Sequence, residues 1–473
     1  MSFLVRNAYV VTMNPKREVF EGGFVAVSDG KIEAVGPAPD APKKEYAETL
    51  DASGMIVIPG LINLHQHPWM NLVKGLADGM VLEPWVFGFV QPCLQHMTLE
   101  DLRVSAYLAA LEMIRTGATC CLNHSTSFKQ DLEFEACIGP MAEVGLRQVF
   151  AKLFQCKTPN MPDHPHTAEE AQAFVGGLVD EFHGGNGGLT RIALGVECNA
   201  HHTELGKSSD ELVRAGHALA CERDLRITSH MSGGSLTMDM GFLKYLRLTK
   251  RTDVAYLKSL GVLDAHWLLI HGIHFSGTDI ADMTEAGCHA VYTPTSESMR
   301  GGGVGPWVNL YRAGVNIALG SDGPAVDYSV DMVEQMKACM FIQNVKHLDP
   351  TVMSPERVLE MGTVNGARAL GMEDEIGSLE PGKAADVAVF DMRGPHLQVM
   401  HNPVANFVCC ARGADAHTVL INGVPVLREG LFPNFTGVEE VIREATERGR
   451  AVAEKAGIAE RAKFNWPGRA EGA

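Results

Sequence analysis

Two histidines one residue apart, in Leu64-His65-Gln66-His67, follow a short apolar run. In an extended strand, residues two apart point to the same side. His65 and His67 can therefore present two imidazoles to one ion. Further along, His230 ends the run 226–229. His271 ends the run 267–270, with His274 one short step on, and Asp322 follows the run 316–319 in Ser321-Asp322-Gly323. Imidazole nitrogens with one carboxylate oxygen suit a borderline divalent ion such as Zn²⁺ or Fe²⁺. Such an ion keeps an open position for a water and lowers its pKa toward neutrality. Asp322 is the candidate acceptor for that water's proton.

These residues lie far apart in the chain, so the fold must bring them together. Eight apolar runs stand at 60–64, 119–122, 147–153, 192–196, 226–229, 267–270, 289–293 and 316–319. Stretches with apolar residues at three- and four-residue steps separate them, as at 99–115, 168–182, 210–223 and 278–286. Alternation of this kind predicts an α/β TIM (β/α)8 barrel over 59–365, with reactive groups at the strand ends. The segments 1–58 and 366–435 read as strands with hairpin signals, Ser28-Asp29-Gly30 and Asn422-Gly423. They predict one small composite β-sandwich domain built from both termini. The remainder, 436–473, is a C-terminal helix over 438–463 and a tail. That helix reads as a solvated cap or a dimer contact.

Composition narrows the function classes. The 473 residues include 40 Lys+Arg and 57 Asp+Glu, a formal net charge of −17. An acidic balance of this size argues against a nucleic-acid or anionic-membrane partner. No apolar run reaches the length of a membrane-spanning helix, and no secretory signal opens the chain. The 11 cysteines are scattered without a CxxC, which fits reduced thiols in a cytoplasm.

The stretch Pro59-Gly60-Leu61-Ile62-Asn63-Leu64-His65-Gln66-His67 resembles the opening signature of the amidohydrolase superfamily. Leu72-Val73-Lys74-Gly75-Leu76-Ala77-Asp78 and Leu82 to Trp85 are similar to the group holding S-adenosylhomocysteine and methylthioadenosine deaminases, guanine deaminases and triazine hydrolases such as atrazine chlorohydrolase. Gly377-Ser378-Leu379-Glu380-Pro381-Gly382-Lys383-Ala384-Ala385-Asp386-Val387 resembles the family's return into its β domain. The resemblance runs from about residue 3 to 430. It implies a barrel with one bound divalent metal: zinc, with iron, manganese or cobalt as alternatives. It implies His65, His67, His230 and Asp322 as metal residues, Asp322 and His271 as catalytic residues, and a homo-oligomer.

One position departs from the group. Its deaminases carry Glu three residues after the third metal histidine, where it shuttles a proton to a ring nitrogen. Here the stretch is His230-Met231-Ser232-Gly233-Gly234. Losing such a shuttle costs about 10²- to 10⁴-fold in rate. Gly233 therefore moves weight from ring deamination toward amide, urea or carbamate cleavage. Glu197, after the fourth run, is a candidate proton shuttle or metal bridge. His124, His202, Trp85, Glu297 and Arg300 are candidate substrate contacts, and Lys152 is a polar residue on the third run. Trp85 with Trp69, Phe87 and Phe89 suits an aromatic or heterocyclic small molecule. The expected function is metal-dependent hydrolysis of a non-peptide C–N bond at an sp² carbon. The alternatives are a dechlorinating triazine-type hydrolase and a catalytically silent ligand-binding barrel.

Overall fold

The chain is represented by a computed structural model that describes residues 2–125, 133–154, 167–197 and 208–462. Eight parallel strands form one sheet in chain order: Leu61–Gln66, Ala118–His124, Arg147–Leu153, Thr190–Gly195, Ile227–Met231, Trp267–His271, His289–Tyr292 and Asn316–Leu319. The last strand closes onto the first. Asn63 Nδ2 donates to Ser321 Oγ at 2.8 Å, and the Asp322 amide donates to the His65 carbonyl at 2.9 Å. A Cβ at Gly320 would lie 2.8 Å from the His65 nitrogen, so only glycine allows this closure.

The barrel interior is apolar below its reactive rim. Ile62, Leu64, Leu122, Val149, Ile270 and Val291 share one core cluster with Ala367 and Leu370 of helix Val364–Leu370. That helix is tied to the start of the eighth strand, where Asn316 Nδ2 donates to the Asn365 carbonyl at 3.0 Å. It plugs the end of the barrel opposite the strand C-termini. The outer helices begin where local chemistry dictates. Helix Leu99–Arg115 starts at a Thr98/Asp101 capping box, and helix Asp210–Arg223 at a Ser209 cap.

The second sheet takes strands from both ends of the chain. Its order runs Val424–Arg428, Ala416–Ile421, Val387–Asp391, Met55–Pro59, Ser2–Val11, Val19–Ser28, Lys31–Pro37, with Glu48–Asp51 branching from Ser2–Val11. The expected composite β domain built from both termini is thus present, its strands joined in one hydrogen-bonded sheet. Register shifts between Val5 and Ala8 and between Ala8 and Val10 mark where it bends. The bend lets it enclose a core of its own with Phe3, Val25, Val57 and Val389.

A buried ion pair couples this sheet to the barrel. Arg147, opening the third barrel strand, donates to both oxygens of Asp386 at 2.8 and 3.0 Å. Asp386 also accepts the Asn422 amide at 2.9 Å, which explains the aspartate of the Gly377–Val387 motif in packing terms.

The C-terminal helix is Val438–Lys455, followed by a short 3-10 turn at Ala459–Ala462, so the expected single helix over 438–463 is shorter and broken. It is more than a solvated cap. Val441, Ala445, Gly449 and Val452 are buried on it, and Arg448 pairs with Asp101 at 3.0 Å. A Cβ at Gly449 would lie 2.4 Å from the Leu72 carbonyl oxygen. The helix therefore clamps the segment that leaves the His65/His67 strand.

Candidate active site

The strand C-termini bring His65, His67, His230, His271 and Asp322 into one cluster. The rings of His65 and His67 stand 4.7 Å apart, and His65 and His230 are 4.9 Å apart. His67 Nε2 lies 3.3 Å from His230 Nε2 and 3.4 Å from Asp322 Oδ1, and His65 Nε2 lies 3.5 Å from the same oxygen. His271 shares one donor cluster with His65 and Asp322. A register shift between Asn63 and Gln66 re-aims the end of the first strand as it reaches the rim. His271 and Asp322 turn off their strands with φ of 75° and 62°. Left-handed backbone at buried non-glycine residues is held only by its surroundings, and it clusters at functional sites.

Whether these residues fit a cation can be tested on their hydrogen bonds. Among the described residues neither nitrogen of His65 makes a hydrogen bond, although the side chain is wholly buried. An unpartnered buried polar group is costly, and a cation would satisfy it. His67 Nδ1 donates to the His124 carbonyl at 2.8 Å, which leaves the Nε2 lone pair facing the cluster. His230 Nδ1 is hydrogen-bonded to Glu197 Oε1, and His124 Nε2 lies 2.8 Å from that same oxygen. The set fits a divalent metal.

Electrostatics agree with that fit. Burial pushes the His67 and His230 imidazoles down to about 3 and His65 well below its usual value, so all three rings are neutral ligands at neutral pH. Burial opposes the charge on Asp322, but the His65 ring and the Arg300 guanidinium outweigh it and hold the carboxyl well below the usual carboxylate range. Glu197 is held down likewise by His230 and His124 against its burial.

A second layer surrounds Asp322. Ser296 Oγ donates to Asp322 Oδ2 at 2.6 Å, and Arg300 Nη2 reaches that oxygen at 3.2 Å. Arg300 also meets Glu297 Oε1 at 3.2 Å, while Glu297 Oε1 lies 2.7 Å from His271 Nδ1. Thr293 Oγ1 is 3.0 Å from the same His271 nitrogen. His271, Glu297 and Arg300 line one cavity with Gly233, Gly234 and Ser235.

A profile of the Amidohydrolase family matches residues 56–426. The chain belongs to the amidohydrolase family. This amidohydrolase is 33% identical over 445 residues to a 5-methylthioadenosine/S-adenosylhomocysteine deaminase of Syntrophobacter fumaroxidans, covering 93% of its own chain and 96% of the relative. It is 32% identical over 455 residues to the enzyme of the same name from Desulforudis audaxviator, covering 96% and 100%. An adenosine deaminase structure from Xanthomonas campestris with bound zinc has a TM-score of 0.85 at 25% identity, over 96% of this chain and 98% of that one. An atrazine chlorohydrolase variant from Arthrobacter aurescens TC1, complexed with zinc and atraton, has a TM-score of 0.86 at 22% identity, over 94% and 100%, a likeness of fold. The amidohydrolase is a metal-dependent hydrolase acting on carbon–nitrogen bonds other than peptide bonds. Among the described residues, no helix is long and apolar enough to cross a membrane.

The other expected site residues lie as follows. His124 and Glu197 sit beneath His230, and Lys152 is buried on the third strand. Trp85 is buried under the Arg300 guanidinium, 5.4 Å from its ring centre. Arg300 is engaged with Glu297, Ser296 and Asp322 and also borders the cavity. His274 leaves the cluster and bonds the Gly234 carbonyl through Nε2 at 2.9 Å. His202 lies outside the described residues.

Glu83 escaped the sequence reading. It is buried, accepts the Ser235 amide at 3.0 Å, and presses against Gly234. A lone carboxylate among Val81, Leu82, Pro84 and Trp85 was the available signal.

Proposed function

We propose that this amidohydrolase uses zinc, held by His65, His67, His230 and Asp322, to deaminate an amino-substituted heterocyclic small molecule by hydrolysis. The observation that carries the reading is the linked set His271–Glu297–Arg300–Asp322, which borders the same cavity as Gly233. A divalent cation held by His65, His67, His230 and Asp322 would supply Lewis-acid activation of a water and of the carbon under attack. Asp322 takes the water's proton at Oδ1, while Ser296 and Arg300 hold its Oδ2 in place. His271, oriented by Glu297 through Nδ1, delivers a proton to the ring nitrogen from Nε2. The proton on Asp322 passes to the amino nitrogen, which leaves as ammonia as the C–N bond breaks, and the hydroxyl proton of the adduct restores His271. Glu297 thus supplies the carboxylate that the deaminases of this group carry at the position of Gly233. Glu197 steadies His230 from behind. Val81 and Leu82 wall the pocket on its apolar side. Among the described residues every cysteine is a free thiol, which supports work in a reducing cytoplasm.

Gly233 itself favours a second reading, cleavage of an amide, urea or carbamate, whose carbonyl needs no ring protonation. A substrate panel separates the two. Ammonia released from aminopurines or aminotriazines supports deamination. Amine released only from ureas, amides or carbamates moves the enzyme to the second reading, and turnover of neither class leaves the silent-barrel alternative.

A further inference from the structure

We propose that His217, Cys221, Asp264 and His266 form a second metal site, for a borderline divalent ion such as Zn²⁺, at the end of the barrel opposite the active site. His217 and Cys221 stand four residues apart on helix Asp210–Arg223, so they share one face of it. Asp264 and His266 immediately precede the strand Trp267–His271. Their place is the N-terminal end of that strand, whereas His271 ends it at the active-site rim. Nothing in the reaction draws on them.

The donor atoms already converge. Cys221 Sγ lies 3.5 Å from His217 Nε2, 4.0 Å from Asp264 Oδ2 and 4.0 Å from His266 Nδ1. Asp264 Oδ2 is 2.7 Å from His217 Nε2. Zinc bonds of about 2.0–2.3 Å put tetrahedral donors roughly 3.3–3.7 Å apart. The four side chains therefore close on an ion by shifts of well under an ångström to about one, with the His217–Asp264 contact opening and the thiol contacts tightening. Asp264 Oδ1 accepts the His266 amide at 3.0 Å and lies 3.0 Å from His266 Nδ1, a contact that the ion would replace.

The chemistry of the set selects the ion. One thiolate, two imidazoles and one carboxylate are a borderline-soft, four-donor set, suited to zinc and poorly to magnesium or calcium. Binding releases the Cys221 thiol proton to solvent. His217, ligating through Nε2, keeps its proton on Nδ1, and His266, ligating through Nδ1, keeps its proton on Nε2. With four protein donors the site has no open position, so its effect is to staple the helix to the strand that carries His271. Cys221 is the one exposed cysteine among the described residues, so the ion has a path in.

The test uses the full-length enzyme and reads metal, not turnover. Purified protein equilibrated with zinc and freed of excess is expected to hold two ions per chain by elemental analysis, and Cys221→Ser one. After exchange with cobalt, the enzyme is expected to show the near-ultraviolet thiolate-to-cobalt charge-transfer band, lost in Cys221→Ser and in His217→Ala. The active-site donors are nitrogens and oxygens only, so that band reports on Cys221. One ion per chain in both proteins, two in both, or no variant-sensitive band would each overturn the proposal.

Discussion

The two ends of the barrel carry histidine–carboxylate clusters built in opposite ways. At the strand C-termini, His65, His67 and Asp322 are 0%, 3% and 2% exposed, and Ser296 and Arg300 hold the Asp322 carboxylate. At the strand N-termini, His217, Asp264 and His266 are 18%, 37% and 22% exposed, and Cys221 stands in solvent. The first cluster gathers residues from strands across the whole barrel, and closing the sheet assembles it. The second needs only a helix turn and a strand start. Burial makes the first cluster neutral in its rings, and the His65 ring and Arg300 keep Asp322 firmly anionic against its burial, which is what proton transfer beside a metal requires. The second can bind an ion without any influence on reacting atoms. Identical residue types thus acquire different functions from their surroundings.

Several substitutions sharpen that contrast. Asp322→Asn should lower kcat by about 10³- to 10⁴-fold on the true substrate, measured on protein with native circular dichroism; unimpaired turnover would break the assignment of Asp322 as proton acceptor. Glu297→Gln should lower kcat about 10²-fold and flatten the pH–rate profile, with KM nearly unchanged. An unchanged profile would remove Glu297 from proton transfer. Glu197→Gln should weaken metal affinity or activity about 10- to 100-fold, read by chelator competition. No loss would mean that His230 needs no support from behind.

The metal-stripped protein should respond to pH with a definite sign. His67 and His230 sit at about 3 when folded, against 6.5 as free side chains. Over that window the unfolded chain binds more protons, so stability falls as the pH drops from about 6.5 toward 3. Denaturant midpoints at neutral pH and near pH 5 measure it, and equal midpoints would contradict buried neutral rings. The smallest effect belongs to the opposite end of the barrel. Cys221→Ser should leave kcat/KM unchanged while one metal equivalent is lost.

Local signals in the chain reached far. The bounds of the strands Arg147–Leu153 and Asn316–Leu319 and of the helix Leu99–Arg115 coincide with their apolar runs and periodicity. Period and capping act over a few residues, so they are written locally. The bent single sheet was not legible, because bulges depend on which strands pair. The carboxylates around Arg300 were not legible, because its chain position says nothing of them. Glu83 and the His217/Cys221 cluster went unremarked because their partners lie far off in sequence or look like ordinary surface residues.

By itself the sequence determined the eightfold strand–helix alternation, the His65/His67 pair and the family, since each rests on residue types at short spacing. Only the tertiary structure decided which carboxylate meets which histidine, that Glu297 stands beside His271, and that a second set of donors converges at the far end. Those outcomes depend on distances between strands and on burial, and both exist only once the barrel has closed.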